Sequence, residues 1–449
     1  MKKKTGWIEQ PDGYLNITPI LQFVLVTILF AMWAIAASLN DILITQFKSV
    51  FQLSDFATAF VQSAFYGGYF VIAIPASLFI KKSSYKLGII AGLIFFSIGC
   101  FLFFPASRLA TYEVFLFAIF VEAIGLSFLE TSADTYSSLL GPRRLATVRL
   151  NISQTFNAVG DIIGILLGKY LVFTDANLKT EMAKMSHIAA LNYGHQVLQR
   201  TLRPYIFVLL VLLALIIVFA FTKFPSGKTR KKTGEIVSAK FSETMKYLSH
   251  NKRYLKGVAA QFFYMGVQTG VWSFTMRLAL DMFPKFNEMY VANFMLYSYI
   301  CFFIGRFLAS YLLSKFRETV ILTVYALIGT IMLLGTTFIP NIFAIYLAVG
   351  VSLLLGPCWP TIYARTLETV TDKRHTETAG AVIVMAIVGG AVLPAIQGLI
   401  SDATSMQFSF IATAIEFALV AWYFISEMKY DTKAAENEES QITALNENA

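Results

Sequence analysis

Charge is what this sequence is short of. Lys, Arg, Asp and Glu make up 14% of the 449 residues, while 57% are hydrophobic and 15% aromatic. A soluble domain carries about 25% charged residues, so the balance excludes a water-soluble chain and leaves a polytopic membrane protein. Cysteine is scarce too. Cys100, Cys301 and Cys358 all fall in apolar stretches without metal-like spacing, so neither a disulfide framework nor a metal site is indicated. His187, His195, His250 and His375 all read as loop residues, so any proton relay must rest on carboxylates. There is no HExxH, no P-loop and no stretch long enough for a sizeable extramembrane domain, which argues against an enzyme. No cofactor is called for.

What the chain has in abundance is membrane-length apolar runs. They read as 19–50, 56–80, 86–104, 112–140, 147–173 and 204–222, then 255–281, 290–313, 320–339, 342–366, 376–400 and 408–425. The expected architecture is all-α, with twelve transmembrane helices as two six-helix bundles. Residues 1–222 form the first bundle, 223–253 a basic linker, 254–427 the second bundle and 428–449 a polar, unstructured tail. The formal charge of +9 would suit a nucleic acid. The basic residues, however, lie in short loops between spans: Lys81, Lys82 and Lys86; Arg143, Arg144 and Arg149; Lys315 and Arg317; Lys373 and Arg374. Together with Lys2 to Lys4 and the linker they mark one face as cytoplasmic, so both termini are expected inside and the bilayer, not nucleic acid, is the partner. The first apolar run continues into Asp41 and reads as a retained helix, not a cleaved leader.

Against that apolar background a few acids stand out. The stretch 119–141 carries Glu122, Glu130 and Asp134, and the first span places Asp41 beside Asn40. A charge at bilayer depth costs roughly 2.5–3.5 kcal/mol even on the lenient insertion scale, so such residues mark ion or substrate paths. Glu130 and Asp134 lie one turn apart and would repel if both were ionised, so one of them carries a proton part of the time.

Amides and aromatics recur at helical spacing. Gln154, Asn157 and Asp161 share a face of the fifth span, and Gly160, Gly164 and Gly168 form a second set that would admit a close neighbour. Gln261, Gln268 and Trp272 align on the seventh, Asn293, Tyr297 and Cys301 on the eighth, and Gln62, Tyr66 and Tyr69 on the second. Such groups serve as interhelical glue, worth about 0.6 kcal/mol each; taken together, they also suit a cavity that hydrogen-bonds a sugar and stacks its C–H face on Trp33 or Trp272. The tenth span contains Pro357 and Pro360, the eleventh Gly389, Gly390 and Pro394. Both are expected to break at membrane depth, as helices do beside a transport site.

These residues fall into recognisable blocks: SLNDIL at 38–43, QSAFYGGYFVIAIPA at 62–76, SYKLGIIAGL at 84–93, LET at 129–131, RLNISQTFN at 149–157, GRF at 305–307, WPTIY at 359–363 and IVMAIVGGAVLPAIQGLISD at 383–402. In this order they resemble the L-fucose:proton symporters of the major facilitator superfamily and their glucose/galactose-type relatives. The resemblance implies the major facilitator fold, alternating access and proton-coupled sugar uptake across the inner (plasma) membrane. It assigns proton coupling to Asp41 and Glu130. It places Gln154 and Asn157 on the sugar and matches Trp33 and Trp272 to cavity tryptophans; Asn40, Gln261, Gln268 and Tyr363 join the substrate set. A monomer is expected.

Three departures stand out. Asp134-Thr135 replaces an Asn-Pro pair, Asp161 stands where small or apolar residues are usual, and Ser38 replaces an amide. Asp134 is expected to tune Glu130, and Asp161 to contact substrate. The competing readings are a sodium-coupled symporter for another hexose, amino sugar or disaccharide, and a sugar sensor that does not transport.

Overall fold

The computed structural model describes residues 6–50, 55–109, 111–171, 182, 184–228, 239–283, 285, 286, 288–313 and 315–447. The side chains of Asn40, Asp41 and Gln62 lie outside the described residues. In a bilayer every backbone N–H and C=O must be satisfied within its own segment or by buried protein, so long apolar runs have to become helices. Among the described residues there is no strand, only one isolated bridge between Glu9 and Leu15.

The helices are α1 (Ile20–Val50), α2 (Asp55–Lys82), α3 (Tyr85–Leu109), α4 (Tyr112–Leu139), α5 (Ala146–Leu171), α6 (His187–Thr201), α7 (Arg203–Phe221) and α8 (Phe241–His250). There follow α9 (Lys252–Met282), α10 (Glu288–Leu313), α11 (Glu318–Phe338), α12 (Phe343–Leu355), α13 (Cys358–Glu368), α14 (Thr376–Met385), α15 (Gly389–Ala403) and α16 (Phe410–Glu447). Eleven spans among the described residues are long and apolar enough to cross a membrane. The twelfth of the expected set is α9, whose 31 residues suffice in length; its glutamines and basic first turn dilute its hydropathy.

The chain divides into two compact units, Met1–Val258 with Tyr363–Ala391, and Ala259–Ile362 with Val392–Ala449. In the first unit α3 lies along α4, α5 along α1, and α2 along α4, with α14 packed on α2 and α4. Glycine permits the closest of these approaches: a Cβ on Gly125 of α4 would stand 2.3 Å from the Phe96 nitrogen of α3. Gly160 and Gly164 do the same for α5 against Ala31 and Ile35 of α1, as their spacing predicts. In the second unit α11 packs on α16, and α10 and α11 on α12.

Both expected breaks are present. The tenth span parts at Gly356-Pro357 between α12 and α13; the eleventh narrows to a 3-10 turn at Ala386–Val388 between α14 and α15. The carbonyls released at the first break find partners inside the second unit. Arg306 Nε donates to Gly356 O at 2.8 Å, and the Tyr264 hydroxyl to Leu355 O at 3.2 Å.

Elsewhere the structure corrects the sequence reading. The connection before α7, read as a loop, contains α6, whose N-cap Ser186 accepts from the Ala189 N–H. His187, His195 and His250 therefore sit on helices, and His375 is buried in a 3-10 turn, where Nδ1 pairs with the Thr244 hydroxyl at 2.8 Å. The basic linker contains α8, and the acidic tail continues α16 as helix to Glu447. Its Ala- and Glu-rich composition favours helix even without an apolar face.

Candidate functional site

The acids that stood out in the sequence are buried on α4. Glu130 is 6% exposed and Asp134 fully enclosed. Each is held by a neighbouring helix: the Tyr69 hydroxyl of α2 donates to the Glu130 carboxylate, and Gln154 Nε2 of α5 donates to Asp134 Oδ1 at 3.1 Å. These bonds fix where each carboxyl points. Gln154, assigned to the sugar by resemblance, thus spends one amide hydrogen on Asp134. Asn157, one turn along α5, is half-buried.

A chain of hydroxyls continues the polar strip: Thr27 of α1 meets Ser153 of α5 at 3.0 Å, and Ser153 meets Ser137 of α4 at 2.8 Å. Trp33 is buried on α1 and packs at a 43° tilt against Phe30, with ring centroids 4.3 Å apart. Asp161 lies at the α1–α5 seam, where Ser38 Oγ donates to its Oδ1 at 3.2 Å. Two departures from the family pattern, Ser38 and Asp161, are therefore bonded to each other.

A third departure also acquires a partner. Thr135 Oγ1 and the Tyr363 hydroxyl of α13 lie 2.8 Å apart in a fully buried setting, so the residue replacing the usual proline ties α4 to α13. Gly380 of α14 closes this spot, since a Cβ there would be 2.6 Å from both oxygens. The carbonyls ending α4 are capped by Arg149, whose Nε donates to Ser137 O at 3.2 Å, Nη1 to Pro142 O at 2.8 Å and Nη2 to Ser138 O.

In the second unit Trp272 Nε1 donates to Ser352 Oγ at 3.2 Å, and its ring packs on Tyr299 and Phe302 at centroid distances of 4.6 and 5.0 Å. Gln268 is half-exposed on α9. Gln261 is fully buried, and neither amide atom has a partner. The structure thus brings Glu130, Asp134, Gln154 and Tyr363 into one unit and leaves Gln261, Gln268 and Trp272 in the other. Sequence reasoning missed Arg306, Gln397 and Glu416, each a lone polar residue in an apolar run. Among the described residues no three His, Cys, Asp or Glu side chains meet as a metal-sized cluster.

Membrane-length helices that bury hydrogen-bonded carboxyls, and that break at depth with their carbonyls recaptured, have the build of a secondary transporter. The Major Facilitator Superfamily profile matches residues 21–356 and 285–447. The chain belongs to that superfamily, in the branch that contains the L-fucose-proton symporters. It is 34% identical to the L-fucose-proton symporter of Escherichia coli (strain K12) over 386 residues, 86% of this chain and 87% of the relative. It is 30% identical to the glucose/galactose transporter of Brucella abortus over 398 residues, 88% and 92% of the two chains. The crystal structure of the superfamily transporter FucP in the outward conformation matches with a TM-score of 0.80 at 33% identity, covering 90% of this chain and 98% of that one.

Proposed function

We propose that the chain is a secondary active transporter, a sugar:proton symporter that imports L-fucose or a related hexose by alternating access. The observation that carries this reading is Glu130, a carboxyl buried at membrane depth, held by Tyr69 and set one turn from the Asp134–Gln154 pair. A carboxyl so placed takes up or gives up its proton only when its surroundings change, which is what coupling to a conformational cycle requires. Asp41 is its proposed partner in coupling. The printed functions of the relatives, L-fucose-proton symport and glucose/galactose transport, support a sugar as cargo. Trp33, Asn40, Gln154, Asn157 and Tyr363 from one unit, and Gln261, Gln268 and Trp272 from the other, are proposed to serve the sugar path. The Gln154–Asp134 bond favours a tuning role for Asp134, whereas Asp161, bonded to Ser38, is placed to shape the α1–α5 wall and through it sugar preference.

The protein is proposed to reside in the inner (plasma) membrane as a monomer with both termini cytoplasmic, a topology supported by the one-sided distribution of its loop lysines and arginines. Bundles at 1–222 and 254–427 joined by a linker at 223–253, with a tail at 428–449, remain the proposed functional division. Competition of unlabelled sugars against labelled L-fucose uptake in proteoliposomes tests the cargo. Inhibition by L-fucose or a hexose, and not by amino acids, is expected. A panel in which no sugar competes would overturn the reading.

A further inference from the structure

The second unit holds a carboxyl that the coupling scheme above does not use. Glu416 sits seven residues into α16, within the apolar span Phe410–Asp431, and is 6% exposed. Its Oε2 is buried without a hydrogen-bond partner. Gln397 of α15 is 1% exposed, and both its amide atoms are unpartnered as well. Both side chains point at the same strip of α9. A Cβ on Gly266 would stand 2.8 Å from Glu416 Oε2, and a Cβ on Gly270 would stand 2.5 Å from Gln397 Oε1 and 2.8 Å from the Thr413 methyl. Gly266 and Gly270 are one turn apart, about 6 Å along the helix. Thr413 and Glu416, three residues apart on α16, share the face that meets this strip. The two glycines lie on the side of α9 away from Gln261, Gln268 and Trp272, so the spot is separate from the residues assigned to sugar.

Three unsatisfied polar atoms in so small a space are unusual, because buried polar groups nearly always find partners. An ionised carboxylate left unpaired at this depth would cost roughly 2.5–3.5 kcal/mol. Binding one proton removes that cost. Gln397 and Glu416 are not hydrogen-bonded to each other in this conformation; brought within reach by a shift of α15 or α16, Gln397 Oε1 would accept the O–H of the acid and Nε2 would donate to the carboxylate. We propose that Glu416, which faces the same strip of α9 as Gln397, is a second proton site, loaded in the conformation described here and emptied when α9 moves against α15 and α16. The proton adds to Oε2, forming an O–H bond, and returns to water on release, with no other chemistry involved. The coupling role rests on the symport reading above; the existence of the site does not.

No charged side chain among the described residues pairs with Glu416. On the helices packed around it, α9 carries Lys252, Arg253, Lys256, Arg277 and Asp281, α11 Glu318, α15 Asp402, and α16 itself Glu427, Lys429 and Asp431 before its polar end; Lys256 is ten residues before Gly266, about 15 Å along α9. Arg277 is eleven residues beyond Gly266, about 16 Å along the helix, and lies over the Phe274 ring. Asp402 is five residues past Gln397, about 7.5 Å along α15.

Labelling of the full-length protein in proteoliposomes with an apolar carbodiimide, which modifies protonated carboxyls in apolar surroundings, tests the site directly. Mass spectrometry of the Glu416 peptide between pH 5 and 9 should give a titration, and Gln397→Leu should shift its midpoint. Absence of labelling across that range would overturn the site, and protection by sodium at fixed pH would make it a sodium site and overturn the proton assignment. The coupling role is read separately. With a pH difference of 1 and no membrane potential, each co-transported proton multiplies limiting accumulation by about ten. Glu416→Gln should therefore lower limiting accumulation about tenfold while retaining sugar exchange, which also reports that the variant is folded. Accumulation equal to wild type would overturn the coupling role. If wild-type protein moves no protons with sugar, the symport reading itself fails, and the labelling titration still decides the site.

Discussion

Replacing Thr135 by Val removes one of two buried hydroxyls 2.8 Å apart and keeps the side-chain shape. The Tyr363 hydroxyl then remains in a fully enclosed place without its partner, which costs about 1–3 kcal/mol. The opposite change, Tyr363→Phe, is milder: a threonine hydroxyl in a helix can bond back to the carbonyl four residues earlier, so its loss is about 0.5–1.5 kcal/mol. Removing both hydroxyls together should come close to neutral, because no unpaired donor is left behind. At about 2–4 °C per kcal/mol, Thr135→Val lowers the thermal midpoint by about 2–12 °C, and the double variant by less than the two single losses summed. Thermal unfolding of purified protein in detergent, followed by tryptophan fluorescence, measures all three. Additive losses in the double variant would refute the reasoning, since they would mean that the hydroxyls act independently. Gly380→Ala serves as a further control: its methyl would press on both oxygens and should match Thr135→Val in direction.

The remaining predictions concern the helix break, the α1–α5 seam and one surface loop. Arg306→Lys keeps a buried charge but loses the donor that meets Gly356 O at 2.8 Å, and it should lower stability by about 1.5–3 kcal/mol in the same assay. Gly164→Val places a branched side chain where a Cβ already lies 2.7 Å from Ser38 Cβ; the overpacking should cost about 1–3 kcal/mol and reduce folded yield by size-exclusion chromatography. Arg374 hydrogen-bonds Asp372 and holds its carboxyl below the ordinary 3.8. A depressed carboxyl stabilises the fold above its unfolded value and loses that contribution as pH falls through the folded one. The stability gap between wild type and Asp372→Asn should thus persist above about pH 5, with a further contribution when His375, whose Nε2 lies 3.6 Å from Asp372, is protonated, and close below about pH 4; Arg374 and Asp372 are 40% and 31% exposed, so the gap is small.

How far the residues announced this arrangement varied with the kind of signal each gave. Glu130 and Asp134 were conspicuous because a charge in an apolar run is costly, and Pro357 with Gly389-Gly390 announced both helix breaks for the same steric reasons that cause them. The Gly160/Gly164 pair predicted a close neighbour, and α1 is that neighbour. By contrast α6 and the end of α16 carry polar, helix-favouring residues without a long apolar run, so a search for membrane spans passes over them. Thr135 and Tyr363 stand 228 positions apart, and only the fold brings them together. Arg306, Gln397 and Glu416 are polar residues that belong to none of the amide and aromatic stripes picked out in the sequence. Their meaning rests on what surrounds them: the released Gly356 carbonyl for Arg306, and a glycine-floored strip without partners for the other two.

The central claim is that sugar moves with a proton whose carrier includes Glu130. Its most direct test is accumulation of labelled L-fucose in proteoliposomes under an imposed inward proton gradient, with wild type and Glu130→Gln measured side by side and each also assayed for exchange of internal against external sugar. The account predicts that wild type concentrates the sugar and collapses to equilibration when the gradient is abolished, while Glu130→Gln exchanges sugar without concentrating it. Undiminished gradient-driven accumulation by Glu130→Gln would contradict it.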